Sequence, residues 1–268
     1  MSDASLFRTI HIGGYMRKYF FFDIDGTLTT PLTADYPKSA QETIRKLKEQ
    51  GHLVAIATGR MQADAAEVAE KLGIDTIVSD GGNAVTENGK IYFHKSLPIN
   101  SCFSLLDDLD IKKHPWAVAP MNKKYRKTRC INYLQKVVDR YYETEVDPNY
   151  DYHSEDTLYK IFISCKKDEV NDISLHGLPY VWFSTDTMIV ESTSKERGIE
   201  YLQQKYNASD DQIIVFGDGL NDRSMFKPEW MSIAMGNGKD ELKKKAKYVT
   251  DNAENDGIYK ACKHFGWI

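Results

Sequence analysis

Short apolar runs alternate with amphipathic helical patterns near the start of the chain, and this alternation most constrains the fold. Buried strands that are separated by helices of this length require right-handed crossovers, and therefore a mostly parallel sheet with helices on both faces. The predicted strands are Tyr19–Ile24, Leu53–Ala57 and Thr76–Val78. A helix through residue 47 is predicted to start at a Ser39–Glu42 capping box, and a second covers residues 62–72. The alternation resumes from residue 195 to the C-terminus, with strands near residues 212–216 and 231–235. We therefore predict an α/β fold with a doubly wound, mostly parallel sheet.

The pattern changes between these two α/β segments. Asn88-Gly89 separates two extended runs, which predicts a β-hairpin over residues 83–93. Helices are predicted near residues 101–109 and 128–141, with strands near 158–164, 180–184 and 188–191. This mixture indicates an inserted α+β cap domain at residues 87–188. The core would then comprise residues 17–86 and 189–268, and residues 1–16 would form a leader outside it.

Length and charge exclude several classes of protein. A chain of 268 residues favours two domains, and a net charge of −4 argues against a general nucleic-acid or membrane-surface binder. No apolar run reaches the roughly 20 residues that span a bilayer. The four cysteines form no CxxC pair, which is typical of reduced thiols. We expect a cytoplasmic protein, a monomer or homodimer, with no nucleic-acid or membrane partner.

Two further groups of residues have a structural interpretation. The basic run Lys123–Arg129 is expected to be a solvated loop and helix start, although it could bind a second anionic group of a substrate if it faced the crevice. Aromatic side chains of the inserted segment are expected in the core of the cap; they are Trp116, Tyr141, Tyr142 and Trp182.

Polar turns follow three of the predicted strands. Their sequences are Asp23-Ile24-Asp25-Gly26-Thr27, Thr58-Gly59-Arg60 and Gly217-Asp218-Gly219-Leu220-Asn221-Asp222. Because the carboxyl ends of strands in a doubly wound sheet share one edge, these turns should meet in one crevice. Lys195 is at the start of the helix that precedes the third strand. The carboxylates suit a hard divalent cation, while the lysine, hydroxyl and backbone amides suit a phosphate.

Each turn has a simpler interpretation when it is taken alone. An isolated Asp-x-Asp is usually a cap or a turn, and the catalytic interpretation is favoured only because Gly26-Thr27-Leu28 and the matching Gly-Asp turn accompany it. Arg60 is expected to pair with a carboxylate or face the crevice. Gly217-x-Gly219 lacks the third glycine of a dinucleotide fingerprint, so a nucleotide cofactor is not expected.

Together, the four motifs resemble those of the haloacid dehalogenase superfamily of phosphohydrolases. They occur in that family's order: an Asp-x-Asp-x-Thr turn, a threonine after the second strand, a lysine, and a Gly-Asp-x-x-x-Asp turn. The C-terminal stretches 234–239 and 246–257 look like the Cof-type subfamily. The short interval between Thr27 and Ser39 leaves no room for a cap, so the cap follows the third strand, as in Cof-type proteins. One departure is that Glu196 follows Lys195 where glycine is common, and glycine appears at Gly198. Lys205 is the rival for the lysine's role.

The resemblance implies a HAD-like Rossmannoid core and a Mg²⁺-dependent phosphatase of small phosphorylated metabolites, with sugar phosphates the expected class. Asp23 would be the nucleophile that forms an aspartyl-phosphate, and Asp25 the acid and base. Mg²⁺ would be bound by Asp23, the backbone carbonyl of Asp25, and Asp218. The residues implied to bind the phosphoryl group or substrate are Ile24, Thr58, Gly59, Lys195 and Asn221, and Asp222 would orient Lys195 or a water on the metal. Two alternatives are a phosphomutase and a metabolite-binding regulator without turnover.

Overall fold

The computed structural model describes residues 11–12, 15–31, 33, 35–136 and 141–268. Part of the predicted leader lies outside these ranges. The described part of it forms a two-stranded antiparallel ribbon, β1 (His11–Ile12) with β2 (Tyr15–Met16), which is separate from the two larger sheets.

An eight-stranded sheet forms the core. Its strands are β3 (Tyr19–Phe22), β4 (Leu53–Ala57), β5 (Thr76–Ser79), β6 (Ala84–Glu87), β7 (Lys90–His94), β14 (Ile213–Gly217), β15 (Met231–Ala234) and β16 (Tyr248–Val249). They lie in the order β16-β15-β14-β3-β4-β5-β6-β7. The six from β16 to β5 are parallel, and the last two are antiparallel. The doubly wound α/β fold is therefore confirmed.

Helices cover both faces of this sheet, because alternate side chains of each strand point to opposite faces. Phe20 and Phe22 lie in one apolar cluster with α1 (Lys38–Glu49) and α7 (Gly257–His264), while Phe21 lies in the other with α5 (Lys195–Lys205). The core helices are α1 (Lys38–Glu49), α2 (Gln62–Leu72), α5 (Lys195–Lys205), α6 (Asp240–Lys243) and α7 (Gly257–His264).

The predicted capping box at the start of α1 is wrong. The helix begins at Lys38, and Ser39 lies inside its first turn. Pro37 occupies the N-cap position with φ −56°, so the chain enters the helix before the serine can cap it. Glu42 is hydrogen-bonded to Arg45 instead of reaching back to the cap.

The cap domain is built on a six-stranded sheet in the order β10-β9-β8-β11-β13-β12. Its strands are β8 (Trp116–Ala119), β9 (Tyr125–Thr128), β10 (Glu143–Val146), β11 (Lys160–Ser164), β12 (Tyr180–Trp182) and β13 (Thr187–Val190), and its helices are α3 (Ile99–Lys112) and α4 (Tyr133–Lys136). The pair β9–β10 is parallel and the other pairs are antiparallel. Trp116 is fully buried against Leu105 and Leu106 of α3.

Several details of the cap differ from the sequence-based expectation. The helix predicted for residues 128–141 is wrong in its first part, because Thr128 ends β9; α4 accounts for Tyr133–Lys136, and residues 137–140 lie outside the described residues. The basic run is not a solvated loop, since Arg126 in β9 is fully buried and donates to Thr144. Tyr141 is 41% exposed and binds Asp64 of α2, so it lies at the cap–core junction rather than in the cap's core.

The Asn88-Gly89 hairpin is confirmed, with both turn residues at positive φ. Its second strand, β7, lies in the eight-stranded sheet, whereas β13 lies in the six-stranded sheet. The predicted bounds at residues 87 and 188 therefore cut β7 off from its own sheet and divide β13. Among the described residues, no helix has both the length and the hydrophobicity to cross a bilayer.

Candidate active site

Asp23 and Asp218 follow two neighbouring parallel strands of the core sheet, β3 and β14. The Asp23 amide donates to the Phe216 carbonyl at 3.0 Å, and the side chain is buried. The chain then turns at Gly26, where φ is +81° and a Cβ would lie 2.3 Å from Asp218 Oδ2. Glycine is required there because any side chain would collide with that carboxylate.

Lys195, at the start of α5, lies between two carboxylates. Its Nζ is 2.6 Å from Asp23 Oδ1 and 2.5 Å from Asp222 Oδ1, and its side chain is 1% exposed. The other oxygen of Asp222 accepts from the amides of Asp218 and Gly219, both at 2.9 Å. Asp222 therefore orients both the lysine and the turn that presents Asp218.

The carboxylates of Asp23, Asp218 and Asp222 can offer oxygens that all lie within 4.8 Å of one another. Burial, and then the charge of Asp222, raises the pKa of Asp23 well above its usual value and raises that of Asp218 to about 7. Burial disfavours the Lys195 ammonium, but Asp222 and Asp23 outweigh this and raise its pKa. Three carboxylates facing one ammonium leave excess negative charge, and carboxylate oxygens are what Mg²⁺ prefers. The donor set therefore fits a divalent cation.

Asp25 lies apart from this buried cluster. Its side chain is 61% exposed and accepts two hydrogen bonds from Arg60, at 2.9 and 2.6 Å. Arg60 is also 3.6 Å from Asp64. The expected pairing of Arg60 with a carboxylate is thus confirmed, and its partner is the residue implied to be the acid and base.

The turn after β4 contacts the same crevice. Thr58 is buried, and its Oγ1 accepts from the Arg60 amide at 3.1 Å. A Cβ at Gly59 would lie 3.0 Å from Glu191 Oε1 and 4.0 Å from Asn221 Nδ2, so Gly59 and Asn221 are neighbours. The Ile24 side chain is buried in the apolar core, so only its backbone is available to a ligand.

The rival lysine is excluded by its partner. Lys205, at the far end of α5, binds Glu87 of the hairpin, whereas Lys195 binds Asp23. The glycine displaced to position 198 has a packing role, because a Cβ there would lie 2.4 Å from Val78 Cγ1 of β5.

Three residues near the site were not predicted from the sequence: Lys160, Glu191 and Asn237. Lys160 of the cap strand β11 donates to the Gly59 carbonyl at 2.8 Å and forms a buried ion pair with Glu191. Asn237 Nδ2 donates to the Gly26 carbonyl at 2.8 Å, while its Oδ1 accepts from the Ala253 amide. A single lysine in the otherwise apolar run Lys160–Ile163 was the available signal, since buried charges are normally paired.

Comparison with known proteins shows the family to which the chain belongs. The family model of haloacid dehalogenase-like hydrolases matches residues 20–262. YkrA of Bacillus subtilis strain 168 is 30% identical over 94% of this chain and 98% of its own length. The 5-amino-6-(5-phospho-D-ribitylamino)uracil phosphatase YcsE of the same organism is 25% identical over 94% of this chain and 96% of its own. A crystal structure of a protein from Geobacillus kaustophilus HTA426 superposes with a TM-score of 0.81 at 30% identity, covering 94% of this chain and all of that one. The chain therefore belongs to the haloacid dehalogenase-like hydrolases, in their Cof-type subfamily, and is a phosphatase of phosphoric monoesters.

Proposed function

We propose that the protein is a Mg²⁺-dependent hydrolase of small phosphorylated metabolites, sugar phosphates foremost, which works through an aspartyl-phosphate on Asp23. The observation that carries the proposal is the buried Asp23 carboxylate beside Asp218, with Lys195 at 2.6 Å. A buried nucleophile among carboxylates needs positive charge to receive a phosphoryl group. Lys195 supplies part of that charge, and a divalent cation, which Asp23, the Asp25 carbonyl and Asp218 would hold, would supply the rest.

Each residue then has a distinct role. An oxygen of Asp23 attacks phosphorus, and the bond from phosphorus to the leaving oxygen breaks while Asp25 protonates that oxygen. In the second half, Asp25 takes a proton from water, the water oxygen attacks phosphorus, and the Asp23 carboxylate is released. Asp25 must leave Arg60 to reach the leaving oxygen, so we expect the Arg60 pair to open when substrate binds. The phosphoryl oxygens are received by Thr58, the backbone at Ile24 and Gly59, Lys195 and Asn221, with Asp222 orienting the lysine.

The proposed substrate class is supported by a relative. YcsE is a phosphatase of 5-amino-6-(5-phospho-D-ribitylamino)uracil, which is a small molecule with a polyhydroxylated chain. We therefore propose a phosphate ester of a sugar or polyol as the substrate of this chain as well. The proposal also includes a cytoplasmic monomer or homodimer, which size-exclusion chromatography with light scattering would test for its oligomeric state.

The direct test is Asp23→Asn, assayed with p-nitrophenyl phosphate with and without MgCl₂. We expect a loss of at least about 1000-fold in kcat, since the amide is a poor nucleophile. Asp211→Asn is the matched control, because the Asp211 side chain is 65% exposed. The activity of this variant should match that of the parent protein. Full activity of Asp23→Asn would refute the nucleophile.

Product analysis separates hydrolysis from the alternatives. With a sugar 1-phosphate, free phosphate supports hydrolysis, while an isomeric sugar phosphate would indicate phosphomutase chemistry. No turnover of any phosphate ester with Mg²⁺ would indicate a metabolite-binding regulator.

A further inference from the structure

The first turn of α2 lies under the cap and directly follows the Thr58–Gly59 turn. Asn122, in the cap loop between β8 and β9, contacts it twice. Its Oδ1 accepts from the Ala63 amide at 2.9 Å, and its Nδ2 donates to Gln62 Oε1 at 2.8 Å. Met61 occupies the N-cap position and has no capping side chain of its own. A residue of the cap domain therefore caps a helix of the core domain.

The core satisfies only part of this helix end. Asp80 of the core accepts from the Gln62 amide at 2.8 Å, and the next amide, that of Ala63, is left to Asn122. The first amides of a helix have no partner within the helix, and a buried amide without one is costly. The last of these contacts therefore depends on the cap lying on α2.

Other cap side chains bind the same turn. Lys124 Nζ lies 3.2 Å from Asp64 Oδ1, and the Tyr141 hydroxyl donates to Asp64 as well. Met61 is 1% exposed and packs in an apolar cluster whose other members belong to the cap, including Tyr142 and Phe162. These ionic and apolar contacts therefore join the cap to the same first turn of α2 that Asn122 caps.

The same face of the cap also reaches the turn itself. Lys160 donates to the Gly59 carbonyl at 2.8 Å, and the Arg60 amide is fixed on Thr58 Oγ1 at 3.1 Å. From Gly59 to Asp64 the chain is therefore held between the core sheet and the cap. Because substrate must enter and product must leave this crevice, we expect the contact between the cap and α2 to open and close during turnover.

We propose that Asn122 is a positioning residue for phosphate binding: by capping α2 from the cap domain, it holds the Thr58–Gly59 turn in the arrangement that receives the phosphoryl oxygens. The inference rests on the proposed function of that turn. Without the Asn122 side chain, the first turn of α2 frays and the Thr58–Gly59 turn before it loses its fixed orientation, because helix ends without capping side chains are the first to open. The effect is exerted on the phosphoryl group, not on the leaving group.

The test is the inhibition constant of inorganic phosphate, which has no leaving group. Asn122→Ala should raise this constant about 3- to 10-fold, with a similar rise in KM for p-nitrophenyl phosphate and a smaller change in kcat. Asn122→Asp retains the acceptor for the Ala63 amide but loses the donor to Gln62 Oε1, so it should restore the constant in part, to a value below that of Asn122→Ala. Asn149→Ala, at an exposed turn of the cap, is the matched control and should change neither quantity.

A phosphate inhibition constant that Asn122→Ala leaves unchanged would overturn the inference. With an unchanged constant, a lower melting temperature alone would indicate that Asn122 has a purely structural role. A higher KM alone would indicate that Asn122 acts on the leaving group. The outcome is separable from that of the proposed function. If Asn122→Ala leaves the phosphate inhibition constant unchanged while Asp23→Asn is inactive, only this inference is wrong. If Asp23→Asn is active, the proposed nucleophile is wrong.

Discussion

Lys160 and Glu191 form an ion pair at the cap–core junction whose side chains are only 3% and 9% exposed. Burial disfavours the Lys160 ammonium, but the Glu191 carboxylate outweighs this and raises the lysine pKa above its usual value. The lysine is therefore charged at neutral pH, and it also donates to the Gly59 carbonyl at 2.8 Å. Lys160→Met keeps most of the apolar stem but leaves the carboxylate and the carbonyl without this donor.

The expected cost follows from these two losses. Removing one member of a buried ion pair costs about 3–5 kcal/mol, and leaving the part-buried Gly59 carbonyl without its donor costs about 1–2 kcal/mol more. We expect Lys160→Met to lower the free energy of unfolding by about 4–7 kcal/mol. The double variant Lys160→Met/Glu191→Leu removes the unpaired carboxylate too, so only about 1–2 kcal/mol should be lost. The second substitution therefore restores stability that the first removes.

The assay is urea unfolding followed by tryptophan fluorescence, with the free energy compared at an unchanged slope against denaturant. Lys260→Met is the matched control: it breaks the pair with Asp251, whose two side chains are 51% and 56% exposed, and should cost less than about 1 kcal/mol. A single variant that is no less stable than the double variant, or no less stable than the control, would refute the reasoning.

Two further results are expected. Burial and Asp222 raise the pKa of Asp218 to about 7, so the stability contributed by its neutral form is present at low pH and is lost as pH rises from about 4 to about 7. Because Mg²⁺ needs the ionised form, the increase in melting temperature on adding MgCl₂ should be larger at about pH 8 than at about pH 6. An equal increase at both pH values would contradict this. Gly198→Ala places a methyl group 2.4 Å from Val78 Cγ1, which should cost about 1–3 kcal/mol in the same urea assay, and an unchanged midpoint would show that α5 can shift away from β5.

The order of strands and helices could be predicted because it depends on local patterns. Apolar runs of four or five residues separated by amphipathic helices leave few arrangements other than a parallel sheet. Two local predictions failed where another residue competed. Pro37 started α1 ahead of Ser39, and the run near Arg126 formed a strand because β8 and β10 lie on either side of it. The basic run has no apolar pattern of its own that predicts a strand, and its burial depends on the neighbouring strands with which it pairs.

The sequence by itself determined which groups meet at the carboxyl edge of the sheet. Asp23, Thr58 and Asp218 each follow a strand of the same parallel sheet, so the connectivity alone brings them together. Only the tertiary structure decided what the cap adds. The bond between Asn122 and Ala63 spans 59 positions of the sequence, and the bond between Lys160 and Gly59 spans 101; both join the cap to the core. The physical reason is that the turns at strand ends are positioned by the pairing of the strands, and the pattern of apolar residues along the sequence predicts those strands. Contacts between two domains depend on how their surfaces pack, and no local pattern of the sequence predicts that packing.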